Sequence, residues 1–197
     1  MSTFHMPRRR HLVGALILLI GVIFSFLSVD PRTPNLTLKP WAHRISEEIN
    51  LLFLVLGIGG LLFTAWRQRD RALALKTVAT IGTETGLYLV AKGTTWYGFH
   101  ILSRPSGTDG GFPSGHTAAA VVVAWLLAER FGAAWAPVFY VIAAGIAWSR
   151  VADGAHFAYQ VLGGAILGFG VAWVLGGRFT TPAVAVVVTA PEPPLSR

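Results

Sequence analysis

The sequence predicts an all-α integral membrane bundle of six transmembrane helices. Three observations carry that expectation. Of the 197 residues, 53% are hydrophobic and only 13% charged, about half the charge that coats an ordinary soluble domain. The apolar residues come in blocks, without the alternation of a half-buried strand. The arginines cluster beside those blocks, as the positive-inside rule expects of cytoplasmic segments.

The first block, Leu12 to Val29, follows Arg8, Arg9 and Arg10. It exceeds the apolar core of a signal peptide, and Phe24, Phe26 and Asp30 form no small-residue cleavage pattern, so it reads as a retained anchor. Residues 30–50 hold Pro31, Pro34 and Pro40 and read as an external loop with an amphipathic end. Ile49 to Trp66 is the second span, closed by Arg67, Arg69 and Arg71; Ala72 to Ala91 is the third, carrying Lys76, Thr80, Thr83, Glu84 and Thr85. Glu84, the one acidic residue inside a span, is the best feature for a transporter and a candidate partner of Lys92. A loop from Lys92 to Ser114 follows. Thr117 to Ala128 and Ala136 to Trp148 are the fourth and fifth spans, separated by Glu129, Arg130 and Gly132, and Phe157 to Gly176 is the sixth. Two full crossings need more than about 40 residues, and Thr117 to Trp148 supplies 32. The outward segments beside that pair are therefore expected to lie slightly below the outer surface, or those helices to extend from within the hydrocarbon edge. Residues 1–178 form one six-span domain, and 179–197, with Pro182, Pro191, Pro193 and Pro194, form a flexible cytoplasmic tail.

If Arg8 to Arg10 are cytoplasmic, Arg67 to Arg71 are cytoplasmic too, because two spans separate them. Both termini then lie inside, and segments 30–48, 92–116 and 149–156 face outward. In a bacterial-type plasma (inner) membrane that is the periplasm or exterior. The net charge of +7 carries no basic–aromatic interleaving, so no nucleic-acid partner is expected. The chain has no cysteine, which excludes disulfides and thiolate chemistry. The sequence leaves the oligomeric state open.

Three clusters fall in the outward segments. Ser103-Arg104-Pro105, with Lys92 upstream, offers a planar guanidinium and an ammonium suited to phosphate oxygens. Phe112-Pro113-Ser114-Gly115-His116 opens an apolar run, with Ser114 as N-cap and Gly115 allowing close backbone approach. Free amides at a helix start favour an anion, and His116 would stand beside it. Ser149-Arg150, then His156, end the series, and Gln160 lies one helical turn beyond His156 on the same face. A ring N–H held by Gln160 would free the other nitrogen as nucleophile or base.

A Lys before Arg-Pro, then Pro-Ser-Gly-His, then Ser-Arg with His six residues after the arginine, resembles the signature of the type 2 phosphatidic acid phosphatase superfamily. The signature covers Lys92 to Gln160, and the six-span pattern extends it over most of the chain. The resemblance implies a metal-independent phosphatase without cofactor, acting on a phospholipid, isoprenoid or glycolipid phosphate in the bilayer through a phosphohistidine. It assigns His156 as nucleophile and His116 as proton donor to the leaving oxygen. Lys92, Arg104, Pro105, Ser114, Gly115 and Arg150 would hold the phosphoryl group. Two positions depart from the pattern. The family's lysine lies seven residues before the arginine, where this chain has Tyr97, and Lys92 lies twelve before it. The family's last aspartate is Gln160, which can orient the ring but cannot stabilise an imidazolium by charge; Asp153 is the alternative orienting acid. If Gln160 only orients, Gln160→Asp should keep or raise activity. A lipid phosphotransferase using the same site, and a catalytically silent transporter or scaffold, are the competing readings.

Overall fold

The computed structural model describes residues 8–94 and 102–176, with the side chains of Arg8–Arg10 and Thr94 left aside. Tyr97 and the proposed tail 179–197 lie outside the described residues. Seven α-helices occur within them: α1 (Arg8–Ser28), α2 (Lys39–Arg44), α3 (Asn50–Gln68), α4 (Arg71–Thr94), α5 (Gly115–Phe131), α6 (Ala136–Ala152) and α7 (Ala158–Gly176). A π-helical turn, Ile45–Ile49, joins α2 to α3. Every predicted apolar block is a helix, and no strand occurs among the described residues.

Two expectations about boundaries change. Residues 30–50 are expected to form an external loop with an amphipathic end, and in the structure that end is already helix from Lys39. Proline sits in the first turn there, where its missing N–H costs nothing. Lys92 belongs to the last turn of α4 and not to a loop. Elsewhere the stop signals work as written. Arg69 takes the left-handed conformation (φ 53°) that ends α3. Asp70 then accepts the Leu73 N–H at 2.9 Å and caps α4. Gly132, at φ 94°, ends α5.

Helix α5 is the centre of the bundle, and nearly every side chain from Thr117 to Ala128 is buried. It packs on α6, α7, α3 and α4, while α1 packs mainly on α6. The contact with α7 is a backbone contact. A Cβ on Gly164 would come within 2.3 Å of the Ser114 carbonyl oxygen, and one on Gly168 within 2.3 Å of that of Ala118. Two glycines four apart thus let α7 lie against the start of α5, as small residues do in apolar helix pairs. At the other end of α5, Glu129 pairs with Lys76 of α4 at 2.5 Å. Glu84 is buried and accepts a bond from the Thr85 hydroxyl at 3.3 Å. It makes no ion pair with Lys92, which lies two turns further on.

Three helical segments are long and apolar enough to cross a membrane: His11–Ser28, Lys39–Gln68 and Ala158–Gly176. Large apolar side chains such as Leu12, Leu16, Ile20, Leu52, Leu56, Phe63, Val78 and Val90 face outward from the bundle. A soluble monomer rarely exposes a continuous apolar surface on that scale.

Candidate active site

The site forms at the end of the bundle where α5 begins, α6 ends and α7 begins. His156 lies in the turn between α6 and α7, and its backbone N–H closes onto the Arg150 carbonyl at 3.0 Å. Gly154, at φ 76°, supplies the left-handed residue this turn needs. The histidine is almost fully buried.

Its ring orientation follows from its neighbours. Nδ1 faces the Gly111 carbonyl oxygen at 2.9 Å and Gln160 Oε1 at 3.1 Å. The amide of Gln160 has one consistent orientation: Oε1 accepts the Phe157 backbone N–H at 3.1 Å, and Nε2 donates to the Leu102 and Ser103 carbonyls at 3.2 and 2.8 Å. Both partners of His156 Nδ1 are therefore acceptors, so Nδ1 carries the proton and Nε2 keeps its lone pair. Burial, then the charges of Arg150 and Arg104, push the His156 pKa down to about 3. The ring is neutral near pH 7. Asp153, the alternative orienting acid, turns away and meets His43 Nδ1 at 3.2 Å.

Gly111 is shaped by this contact. A Cβ there would lie 2.5 Å from both Gln160 Nε2 and the Leu102 oxygen, so any larger residue would prise the loop from the histidine. Arg104 follows directly, in a turn closed by its own N–H on the Thr108 carbonyl at 2.8 Å. Its charge acts on both histidines. With Pro105, Arg32, Phe157 and Tyr159 it lines a cavity of about 730 Å³ next to the turn that carries His156.

His116 stands in the first turn of α5, before the apolar run from Thr117. Burial and the charge of Arg150 lower its pKa, and the nearby carboxylate of Glu47 opposes them. Ser114 occupies the N-cap position but makes no side-chain cap. Its Oγ accepts the Thr117 hydroxyl at 3.1 Å, which leaves the amides of the first turn without a side-chain acceptor from Ser114. Gly115 lies against the Tyr88 ring, 2.7 Å from a built Cβ. Lys92 donates to the Tyr88 hydroxyl at 2.8 Å and packs on Gly110. It therefore borders the loop that precedes Ser114.

Arg150 is buried in the last turn of α6. One of its terminal nitrogens, Nη1, donates to the Ser46 hydroxyl and, at 2.6 Å, to Glu47 Oε1. The other oxygen of Glu47 lies 3.5 Å from His116 Nε2. Sequence reasoning passed over Ser46 and Glu47 because they fell in a segment read as loop. The available signal was an acidic pair, Glu47-Glu48, in an otherwise basic stretch. Among the described residues no three metal-ligating side chains cluster.

The model of the PAP2 superfamily matches residues 63–180, more than half of the chain. The match spans every candidate site residue read from the sequence, from Lys92 to Gln160, and excludes Ser46 and Glu47. No curated protein and no solved structure matches the chain.

Proposed function

The chain belongs to the PAP2 superfamily, whose members are phosphatases, and from that premise we propose an integral membrane phosphatase that hydrolyses a lipid phosphate through a phosphohistidine on His156. The observation that carries the reading is the doubly held Nδ1–H of His156, which leaves the Nε2 lone pair available within reach of the charges of Arg150 and Arg104.

The chemistry runs in two balanced steps. His156 Nε2 attacks phosphorus, the bond from phosphorus to the lipid oxygen breaks, and His116 gives its proton to that oxygen. Water then attacks the phosphohistidine, His116 takes a proton from it, and inorganic phosphate leaves as Nε2 regains its lone pair. Phosphoryl transfer asks chiefly for positioning and charge stabilisation. Arg104, Arg150 and the first-turn amides of α5 serve that end, with Lys92 at the border of the loop. A bound phosphate also places negative charge beside His116, which raises its pKa and favours the protonated acid that the first step needs.

The apolar outer surface supports a bilayer as solvent and a lipid as substrate. All six apolar blocks then span, α5 and α6 as short inner helices of about 26 Å each, with the site sunk below the outer face. A furrow of about 320 Å³ between α1 and α7, lined by residues such as Leu18, Val22, Leu162 and Phe169, follows α7 toward the cavity at Phe157 and offers a bed for one apolar chain. The test is phosphate release by purified protein in mixed micelles. The panel is phosphatidate, phosphatidylglycerol phosphate, a polyprenyl diphosphate, lipid A and a soluble aryl phosphate. Release from at least one lipid, lost in His156→Ala, is expected. Release from the soluble ester alone would contradict a lipid substrate.

A further inference from the structure

Glu47 touches both of the groups that the phosphoryl transfer needs most. Its carboxylate bridges them, Oε1 on Arg150 Nη1 at 2.6 Å and Oε2 toward His116 Nε2 at 3.5 Å. An arginine that holds a phosphoryl oxygen and an acid that reaches the leaving oxygen are bridged in the same way by a phosphate ester. We propose that Glu47 is a resident anion of the phosphoryl site, which a substrate phosphate must displace, and that it thereby sets how tightly a phosphate must bind to enter. The inference rests on the phosphatase reading and goes beyond it, since Glu47 lies outside the segment matched by the superfamily.

Electrostatics make the exchange necessary. A phosphoryl dianion on Arg150 would place two like charges within about a hydrogen bond of Glu47, a contact that strongly disfavours both remaining charged and in place. The local structure makes it feasible. Glu47 sits on the π-helical turn, a helix irregularity common at functional sites, and its side chain is 46% exposed, against 4% for Arg150. The carboxylate has room to swing out, while the guanidinium stays. Arg150 is not stranded when it does. The Ser46 hydroxyl holds the same Nη1, and its Nε is buried without a partner among the described residues, ready for a second oxygen.

The functional consequence is an affinity threshold that every phosphate must exceed. Free phosphate has only its own oxygens to offer in exchange for Glu47. A lipid phosphate brings the burial of its chain as well. A resident anion lowers the apparent affinity of every phosphate by the fraction of time the site is free, so weak binders such as the product are held off and the substrate still enters.

Inhibition of lipid phosphate turnover by inorganic phosphate tests this in the intact protein in mixed micelles. Glu47→Gln removes the charge at constant size. It is expected to lower the phosphate inhibition constant about tenfold or more, the scale of one charge-assisted hydrogen bond, and to lower KM in the same direction. Glu47→Asp, which keeps the charge, should stay close to wild type. An unchanged or raised inhibition constant in Glu47→Gln, with wild-type turnover intact, overturns the resident-anion role alone. A drop in kcat with KM unchanged would make Glu47 a transition-state group and also overturns it. If the wild type turns over no lipid phosphate, the phosphatase reading fails and this inference fails with it.

Discussion

Gln160 shows how a single residue can be legible in type and illegible in role. The i to i+4 spacing placed it beside His156, and the structure has its Oε1 3.1 Å from Nδ1. Its amide nitrogen could not be read from spacing, because its partners, the Leu102 and Ser103 carbonyls, lie 58 and 57 residues away. That nitrogen ties the Arg104 loop to the residue that holds His156. The expectation for Gln160→Asp therefore reverses: a carboxylate would still accept from Nδ1 but would face two carbonyl oxygens without a proton to give. Gln160→Glu, which keeps the length, is expected to reduce kcat/KM about 10- to 100-fold through the lost donors. Undiminished turnover in that variant would show that the loop is held by other means. His156 adds a pH signature of its own. Its folded pKa of about 3 lies below the ordinary 6.5, so between these values the unfolded chain binds the extra proton. The stability contributed by the neutral ring is complete above about pH 6.5 and is lost as pH falls toward 3. Thermal unfolding in detergent should show a steeper acid decline for wild type than for His156→Gln, and equal slopes would refute it.

At the scale of elements, apolar length located all six long helices, and the errors came at their ends. Pro40 can end a helix or open one, and only the position of Lys39 as helix start reveals it as a first-turn residue. That misreading hid the π-helical turn and with it Glu47. The pairing of α5 with its neighbours was also beyond reach. Gly164 and Gly168 had the spacing of a close helix contact, but nothing in the chain says which helix they meet. Lys76 and Glu129 show the same limit: Lys76 reads as a polar residue carried by the third span and Glu129 as part of the break between the fourth and fifth, and together they form one largely buried link between α4 and α5. Removing one member of such a pair leaves an uncompensated charge, at about 3–5 kcal/mol. Glu129→Leu should destabilise the protein by that order, and Lys76→Met with Glu129→Leu should recover most of the loss. A double variant no better than the single would show that the charges do not act as a pair.

For the whole molecule, the clusters around Arg104, His116 and His156 converge because three helix ends meet at one face, and their order along the chain announced that much. Contacts between residues far apart in sequence, such as Arg150 with Glu47, emerge only from the packed bundle. The proposed topology puts this face outside and the turn between α3 and α4 in the cytoplasm. In this cysteine-free chain, single cysteines at Thr108 and Gln68, both exposed, report it to a membrane-impermeant thiol reagent applied to intact cells. Thr108→Cys should label and Gln68→Cys should not, and the opposite pattern would invert the topology. The central claim is that phosphate passes through His156. The most direct measurement is to stop turnover of a radiolabelled lipid phosphate in alkali, where phosphohistidine survives, and map the label by peptide. Label is expected on the peptide carrying His156, lost on acid treatment and absent in His156→Ala. Turnover by the wild type with no protein-bound label, or with label on His116, would contradict it.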